Sequence, residues 1–219
     1  MNKEFEKRRR RLAKLIGKDG IAVIPTASTR VRSRDTDYPY RPDSDFYYFT
    51  GFSEPHAVMI LAPGREDGAF IVCLRAKNPL TEIWDGHMEG LNGVKKNFGV
   101  DQSFKIEDLE TILSSLFLGR QKVFFTLGQD DVLDKTLMRS YNAVRAGQRR
   151  GGVVPSEIQA LEPLIHEMRL IKSKKEISLM RKSAKISVDA HKRVFKNCKP
   201  GVFEYQIEAD IIHEFGKHG

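Results

Sequence analysis

The chain has little cysteine and no long apolar run, and each shortage narrows what it can be. Only Cys73 and Cys198 are present, far apart in sequence. That excludes a disulfide framework and any Cys-x-x-Cys metal or redox site, and two free thiols in a cytoplasmic compartment are expected. No apolar stretch approaches the roughly 20 residues needed to cross a bilayer. The start, Met1-Asn2-Lys3-Glu4-Phe5-Glu6, lacks the apolar segment of a secretory signal and the Ser-rich, acid-poor character of a transit peptide. His56, His87, His166, His191, His213 and His218 are scattered and form no His-x-x-x-His or His-Glu-x-x-His pair. There is no Gly-x-Ser-x-Gly elbow and no P-loop. The glycine-rich residues 147–152 follow a helical pattern instead of a strand, so they fail as a dinucleotide loop.

What is present is a well-mixed globular composition. The 219 residues are 40% hydrophobic and 30% charged, enough for one large domain or two small ones. A net charge of +8 raises the question of acidic partners. The densest cluster, Lys7-Arg8-Arg9-Arg10-Arg11, follows Glu4 and Glu6, while Phe5, Leu12, Leu15 and Ile16 share one helical face. The cluster therefore reads as a solvated helix face. No nucleic-acid motif accompanies it, and neither nucleic acid nor membrane is expected as a partner.

The first part of the chain alternates helix and strand signals. Residues 20–25, 57–62, 69–74 and 122–127 read as strands, the middle two joined by a Pro-Gly turn into an antiparallel hairpin. Helical spacing links Ile106, Leu109, Ile112, Leu113 and Leu116, and again Leu133, Leu137, Tyr141 and Val144. The fold class expected is α/β, a mixed sheet flanked by helices. After about Pro155 no further strand is expected, and residues 158–170 read as a connecting helix. Ser173 and Glu176 form a capping-box pattern ahead of a long helix striped by Ile177, Met180, Ala184, Val188, His191, Phe195 and Cys198. Lys199-Pro200-Gly201 ends it. Phe203, Ile207, Ile211 and Phe215 stripe another helix. Neither stripe has a sheet of its own to cover, so a second domain is expected to begin near Ser173 and to be cut short at Gly219.

Two carboxylate pairs, Asp35-Thr36-Asp37 and Asp43-Ser44-Asp45, could share a metal from a loop or cap turns. No third or fourth ligand accompanies either pair. The densest aromatic stretch spans residues 37–52 and holds seven aromatic side chains and two prolines. Composition leaves two readings open: packing that caps the core, or a preorganised surface.

Tyr38-Pro39-Tyr40-Arg41, then Ser44-Asp45-Phe46, then Tyr48-Phe49-Thr50-Gly51-Phe52, resembles the signature of the aminopeptidase P amino-terminal domain. Phe5-x-x-Arg8-Arg9, Leu80-Thr81-Glu82-Ile83-Trp84-x-Gly86, the run 166–173, and Pro200-Gly201-Val202-Phe203-Glu204-Tyr205 continuing to His213-Glu214-Phe215 follow the family in the same order. The resemblance covers essentially the whole chain and is nearest to the cytoplasmic bacterial form. It implies release of the first residue from peptides with proline second, by a homo-oligomer (dimer or tetramer). It implies an amino-terminal domain over residues 1–172 and the truncated start of a pita-bread α+β domain over 173–219. That domain holds two manganese ions through two Asp, one His and two Glu, all beyond this chain, with a bridging hydroxide as nucleophile. No catalytic or metal-binding residue is therefore expected here, and the segment alone is expected to be inactive. Three substrate-shaping residues carry over: Trp84, lent to a neighbouring subunit's site; Asp35, reaching toward the site across an oligomer interface; and Arg149, at the site entrance. Prolidase, which takes only dipeptides, is the related alternative, and a non-enzymatic oligomerisation or peptide-binding module is the alternative from another class.

Overall fold

A computed structural model describes residues 3–148 and 152–219. The chain divides into two compact units, one through His166 and one over Glu167–Gly219.

The first unit is built on a six-stranded sheet. In chain order its strands are β1 (Gly20–Pro25), β4 (Val58–Leu61), β5 (Phe70–Leu74), β6 (Gln102–Lys105), β7 (Lys122–Phe125) and β8 (Glu157–Ala160). β2 (Val31–Ser33) and β3 (Thr36–Asp37) form a separate small hairpin. The spatial order is β6-β5-β4-β1-β7-β8. β4 is antiparallel to both neighbours, and every other pairing is parallel. β1, β4 and β5 are buried along their whole length, which is why they read in sequence as unbroken apolar runs.

Side chains alternate across the sheet. Ile21, Val23, Ile60, Ile71, Val123 and Phe125 share a core with Leu109, Leu113 and Phe117 of α5 (Leu109–Phe117) and Leu133 and Leu137 of α6 (Asp131–Ala146). β1 also packs with α1 (Lys3–Ile16) and α2 (Ser44–Thr50), which pack on each other. α3 (Pro79–Asp85), α4 (Gly90–Phe98) and a 3-10 turn (Ile106–Asp108) connect the strands, and α7 (Glu162–Leu170) follows β8.

Three expectations need correction. Residues 157–160 are a strand pairing parallel with β7, so the strands do not stop at Pro155 and the connecting helix is shorter than residues 158–170. β8 carries the edge of the sheet with mostly exposed side chains, and an edge strand needs no apolar run. The basic cluster is not wholly solvated. Arg9 is buried, donating from Nη1 to the Phe49 carbonyl at 2.7 Å with its guanidinium carbon 3.8 Å from the Phe70 ring centre. Arg8 donates to the Tyr48 carbonyl at 3.0 Å and stacks on the Tyr48 ring. Both arginines thus satisfy carbonyls at the end of α2, where the helix dipole favours a cation. Cys198 is exposed just past the end of the helix Lys174–Asn197.

The second unit contains α8 (Lys174–Asn197) and α9 (Glu204–His218). The capping box forms: Ser173 N donates to Glu176 Oε2 at 2.8 Å and Glu176 N to Ser173 Oγ at 3.3 Å. The two helices are tied by Arg193 Nε to Asp210 Oδ1 at 2.9 Å and Asn197 Nδ2 to Asp210 Oδ2 at 2.7 Å. Ala190 is buried, while Ile177, Met180, Val188, Phe195, Phe203 and Phe215 are exposed.

Candidate functional site

Residues 38–55 are the scaffold from which the candidate site is hung. Asp43 caps α2, its Oδ1 accepting from Asp45 N at 2.8 Å and Phe46 N at 3.0 Å. That assigns this member of the carboxylate pair to capping. Phe46, Phe49 and Phe52 are fully buried, so the aromatic stretch is largely interior packing. Thr50 Oγ1 donates to the Phe46 carbonyl at 2.8 Å and accepts from Phe52 N at 3.0 Å. Gly51 ends α2 with φ 68°, a left-handed conformation that glycine adopts without strain. A Cβ there would also collide with the Phe5 ring. The Thr-Gly-Phe sequence therefore follows from a helix end that must turn beneath α1.

The same segment reaches two other elements. The Tyr40 hydroxyl lies 2.6 Å from Thr26 Oγ1, just past β1, and 3.4 Å from the Glu54 carbonyl. Burial pushes the Tyr40 phenol above its ordinary pKa. Glu54 Oε1 accepts from Glu89 N at 2.8 Å, beyond the carboxyl end of α3.

α3 carries Trp84 on a short, well-fixed helix. Asn78 caps it, Oδ1 accepting from Leu80 N at 3.0 Å, and Pro79 occupies the first turn, where its missing N–H costs nothing. Gly86 closes it at φ 82°, ψ −169°, a region essentially restricted to glycine. This accounts for the Trp84-x-Gly86 pattern. Glu82 Oε1 gathers the turn that follows, accepting from Met88 N at 2.8 Å and pairing with Lys77 Nζ at 3.0 Å and His87 Nδ1 at 3.5 Å. The Met88 amide, then Lys77, hold the Glu82 carboxyl below the usual carboxylate range. Arg75 Nη1 pairs with Asp85 Oδ2 at 3.2 Å. On this braced helix Trp84 is 87% exposed, and Leu80 and Ile83 are exposed beside it.

Asp35 lies exposed in the turn between β2 and β3, next to Arg34, whose φ is 44°. The hairpin follows β1 and α3 follows β5. Because β4 is antiparallel to both β1 and β5, these two strands run the same way, and Asp35 and Trp84 emerge at the same carboxyl edge of the sheet. Arg149 lies outside the described residues. The bracing by Glu54, Glu82 and Arg75 was not legible beforehand, since isolated charges in loops carry no periodic signal. Among the described residues no three His, Cys, Asp or Glu side chains stand together as a metal site, and no helix is long and apolar enough to cross a membrane.

Comparison with known proteins agrees with this fold. The family described as Aminopeptidase P, N-terminal domain, matches residues 5–125. The Xaa-Pro aminopeptidase of Escherichia coli K12 is 36% identical over 217 residues, 99% of this chain and 49% of that protein. The solved structure of the Pseudomonas aeruginosa aminopeptidase PepP superimposes with TM-score 0.96 at 41% identity, covering 99% of this chain and 49% of that one. Zinc-substituted E. coli aminopeptidase P in complex with product gives TM-score 0.95 at 34% identity over 100% of this chain and 50% of that one. The chain spans about half the length of the curated relatives it matches. With its signature residues, its mixed sheet and this match over more than half its length, the chain belongs to the aminopeptidase P amino-terminal domain family.

Proposed function

We propose that this segment is the amino-terminal half of a Xaa-Pro aminopeptidase, which hydrolytically releases the first residue of peptides with proline second. The observation that carries the reading is the end-to-end likeness to aminopeptidase PepP, 41% identity and TM-score 0.96 over 99% of the chain. In this reading residues 1–172 are the amino-terminal domain. Residues 173–219 open a pita-bread metallopeptidase domain, and its sheet would cover the exposed apolar faces of α8 and α9. Two manganese ions supply the Lewis-acid chemistry of the whole enzyme. The described residues of this chain offer no ligand set for them, so no catalytic step is assigned to any residue here.

The segment contributes shape and assembly. Trp84 stands on a helix already ordered at both ends, so placing its ring against a substrate costs little entropy. The flat ring offers apolar area to a peptide. Asp35 brings a carboxylate from the β2–β3 turn, and Arg149 a guanidinium at the entrance. Trp84 and Asp35 act across subunits of a cytoplasmic homo-oligomer, a dimer or tetramer.

The test uses the full-length protein loaded with manganese and a tripeptide with proline second. Release of the first residue is expected, with none from this segment alone. Cleavage confined to dipeptides would make the protein a prolidase. No cleavage of either would make it a binding module. Turnover by the isolated segment would overturn the role assigned to it.

A further inference from the structure

The carboxyl edge of the sheet carries a cleft of about 630 Å³ that the reading above does not use. Thr26 and Ser28 reach it from the end of β1, Arg75 from the end of β5, Glu107 from beyond β6, Asp130 from the start of α6, and His56 from just before β4. Open α/β sheets favour ligand binding in the crevice outside these strand ends. The volume lies within the roughly 300–1,000 Å³ typical of small-molecule sites.

Two features mark the cleft beyond its position. Arg75 is held through Nη1 by Asp85, yet its Nε is buried without a hydrogen-bond partner. A buried charged donor with no acceptor is unfavourable unless something supplies one. His56 adopts φ 55°, a left-handed conformation sparsely populated by residues with a Cβ, and such strain gathers at ligand sites. Val58, Leu109 and Leu133 give the cleft buried apolar walls, and the exposed carboxylates of Glu107 and Glu110 also line it. Asp130 is already engaged: its Oδ1 accepts from Val132 N and Leu133 N, and its Oδ2 from Ser28 Oγ at 3.2 Å.

We propose that this cleft binds a small zwitterion with an apolar body, a free apolar amino acid or a short peptide. The carboxylate meets the Arg75 guanidinium, the ammonium faces Glu107 and Glu110, and the side chain lies on the apolar walls. A purely apolar ligand would bring no counter-charge to the Arg75 guanidinium, and a polyanion such as a nucleotide would meet the two glutamates. This reading of the cleft is independent of the proposed peptidase activity.

The experiment is calorimetric titration of the 219-residue chain with L-leucine, glycyl-L-leucine, N-acetyl-L-leucine and L-leucinamide. Saturable binding of the two zwitterions is expected. The two capped analogues should bind roughly ten- to a hundredfold more weakly, as follows from losing one charge-assisted contact. The tighter of leucine and the dipeptide identifies the source. Arg75→Gln should bring leucine down to the level of leucinamide. Because Arg75 also holds Asp85, Glu107→Gln provides a second variant at an exposed position; it should weaken leucine and leave N-acetyl-leucine unchanged. Absence of saturable zwitterion binding, equal affinity for capped and uncapped forms, or wild-type binding by both variants would overturn the proposal.

Discussion

Phe117 ends an amphipathic helix of the first unit and Phe195 lies near the end of one in the second, yet Phe117 is wholly buried and Phe195 is 76% exposed. α5 lays Leu109, Leu113, Leu116 and Phe117 on a sheet made by its own unit. α8 carries an equally regular stripe, but Ala190 alone among its residues is buried, and α9 buries none. An amphipathic pattern states that a face is fit for burial; it does not state what covers it. The first unit supplies its own answer through six strands and the helices against them. The second has one helix to set against another, with Arg193 and Asn197 both bonded to Asp210.

The largest effect expected from this difference is in local stability. Amides of β1, β4 and β5 should exchange only at the rate of global opening, whereas those of α8 and α9 should exchange through local opening near zero cost. Limited proteolysis should cut first beyond Ser173. Uniformly slow exchange from Ser173 to Phe215 would show that these helices have found a complete core and would erase the contrast.

Paired truncations sharpen it. Phe117→Ala should destabilise the chain by about 3–5 kcal/mol in urea unfolding, the cost of emptying a packed site. Phe195→Ala should change stability by less than about 0.5 kcal/mol. Comparable losses for the two would contradict the burial difference.

The two thiols report the same contrast with a smaller effect. Burial, with Asp108 adding to it, pushes the Cys73 thiol up to about 12 from an ordinary value of 9.0. The folded chain therefore keeps this proton through a range in which the unfolded chain has lost it. The contribution of Cys73 is intact below about pH 9 and falls away as pH rises toward 12, by at most about 1.4 kcal/mol per pH unit. Cys73→Ala should remove that part of the alkaline decline. At neutral pH the exposed Cys198 should react at once with a thiol reagent and Cys73 only on unfolding; equal reactivity would mean that Cys73 is not sealed in the sheet.

What was legible in the sequence follows the same division between self-covered and edge elements. β1, β4, β5 and β7 could be read because strands buried on both faces are continuous apolar runs. β6 and β8 could not, since Gln102-Ser103-Phe104-Lys105 and Glu157-Ile158-Gln159-Ala160 lie at the two edges of the sheet and carry polar side chains there. Arg9 was misread because its partners, the Phe49 carbonyl and the Phe70 ring, lie 40 and 61 residues along the chain. The capping box at Ser173 was legible because it is wholly local. Trp84 was singled out through family resemblance alone, and the carboxylate spacing that drew attention to Asp35 left its role open between a metal and a turn; nothing in local spacing separates an exposed tryptophan that serves a site from one that is packed.

Trp84 therefore offers the most direct test of the account, that this braced but exposed helix shapes a substrate site instead of its own unit's core. On the function proposed above, Trp84→Ala in the full-length protein should leave folding and metal content unchanged and lower kcat/KM for longer Xaa-Pro peptides by about tenfold, close to 1.4 kcal/mol. Wild-type kinetics on both short and long peptides would contradict it.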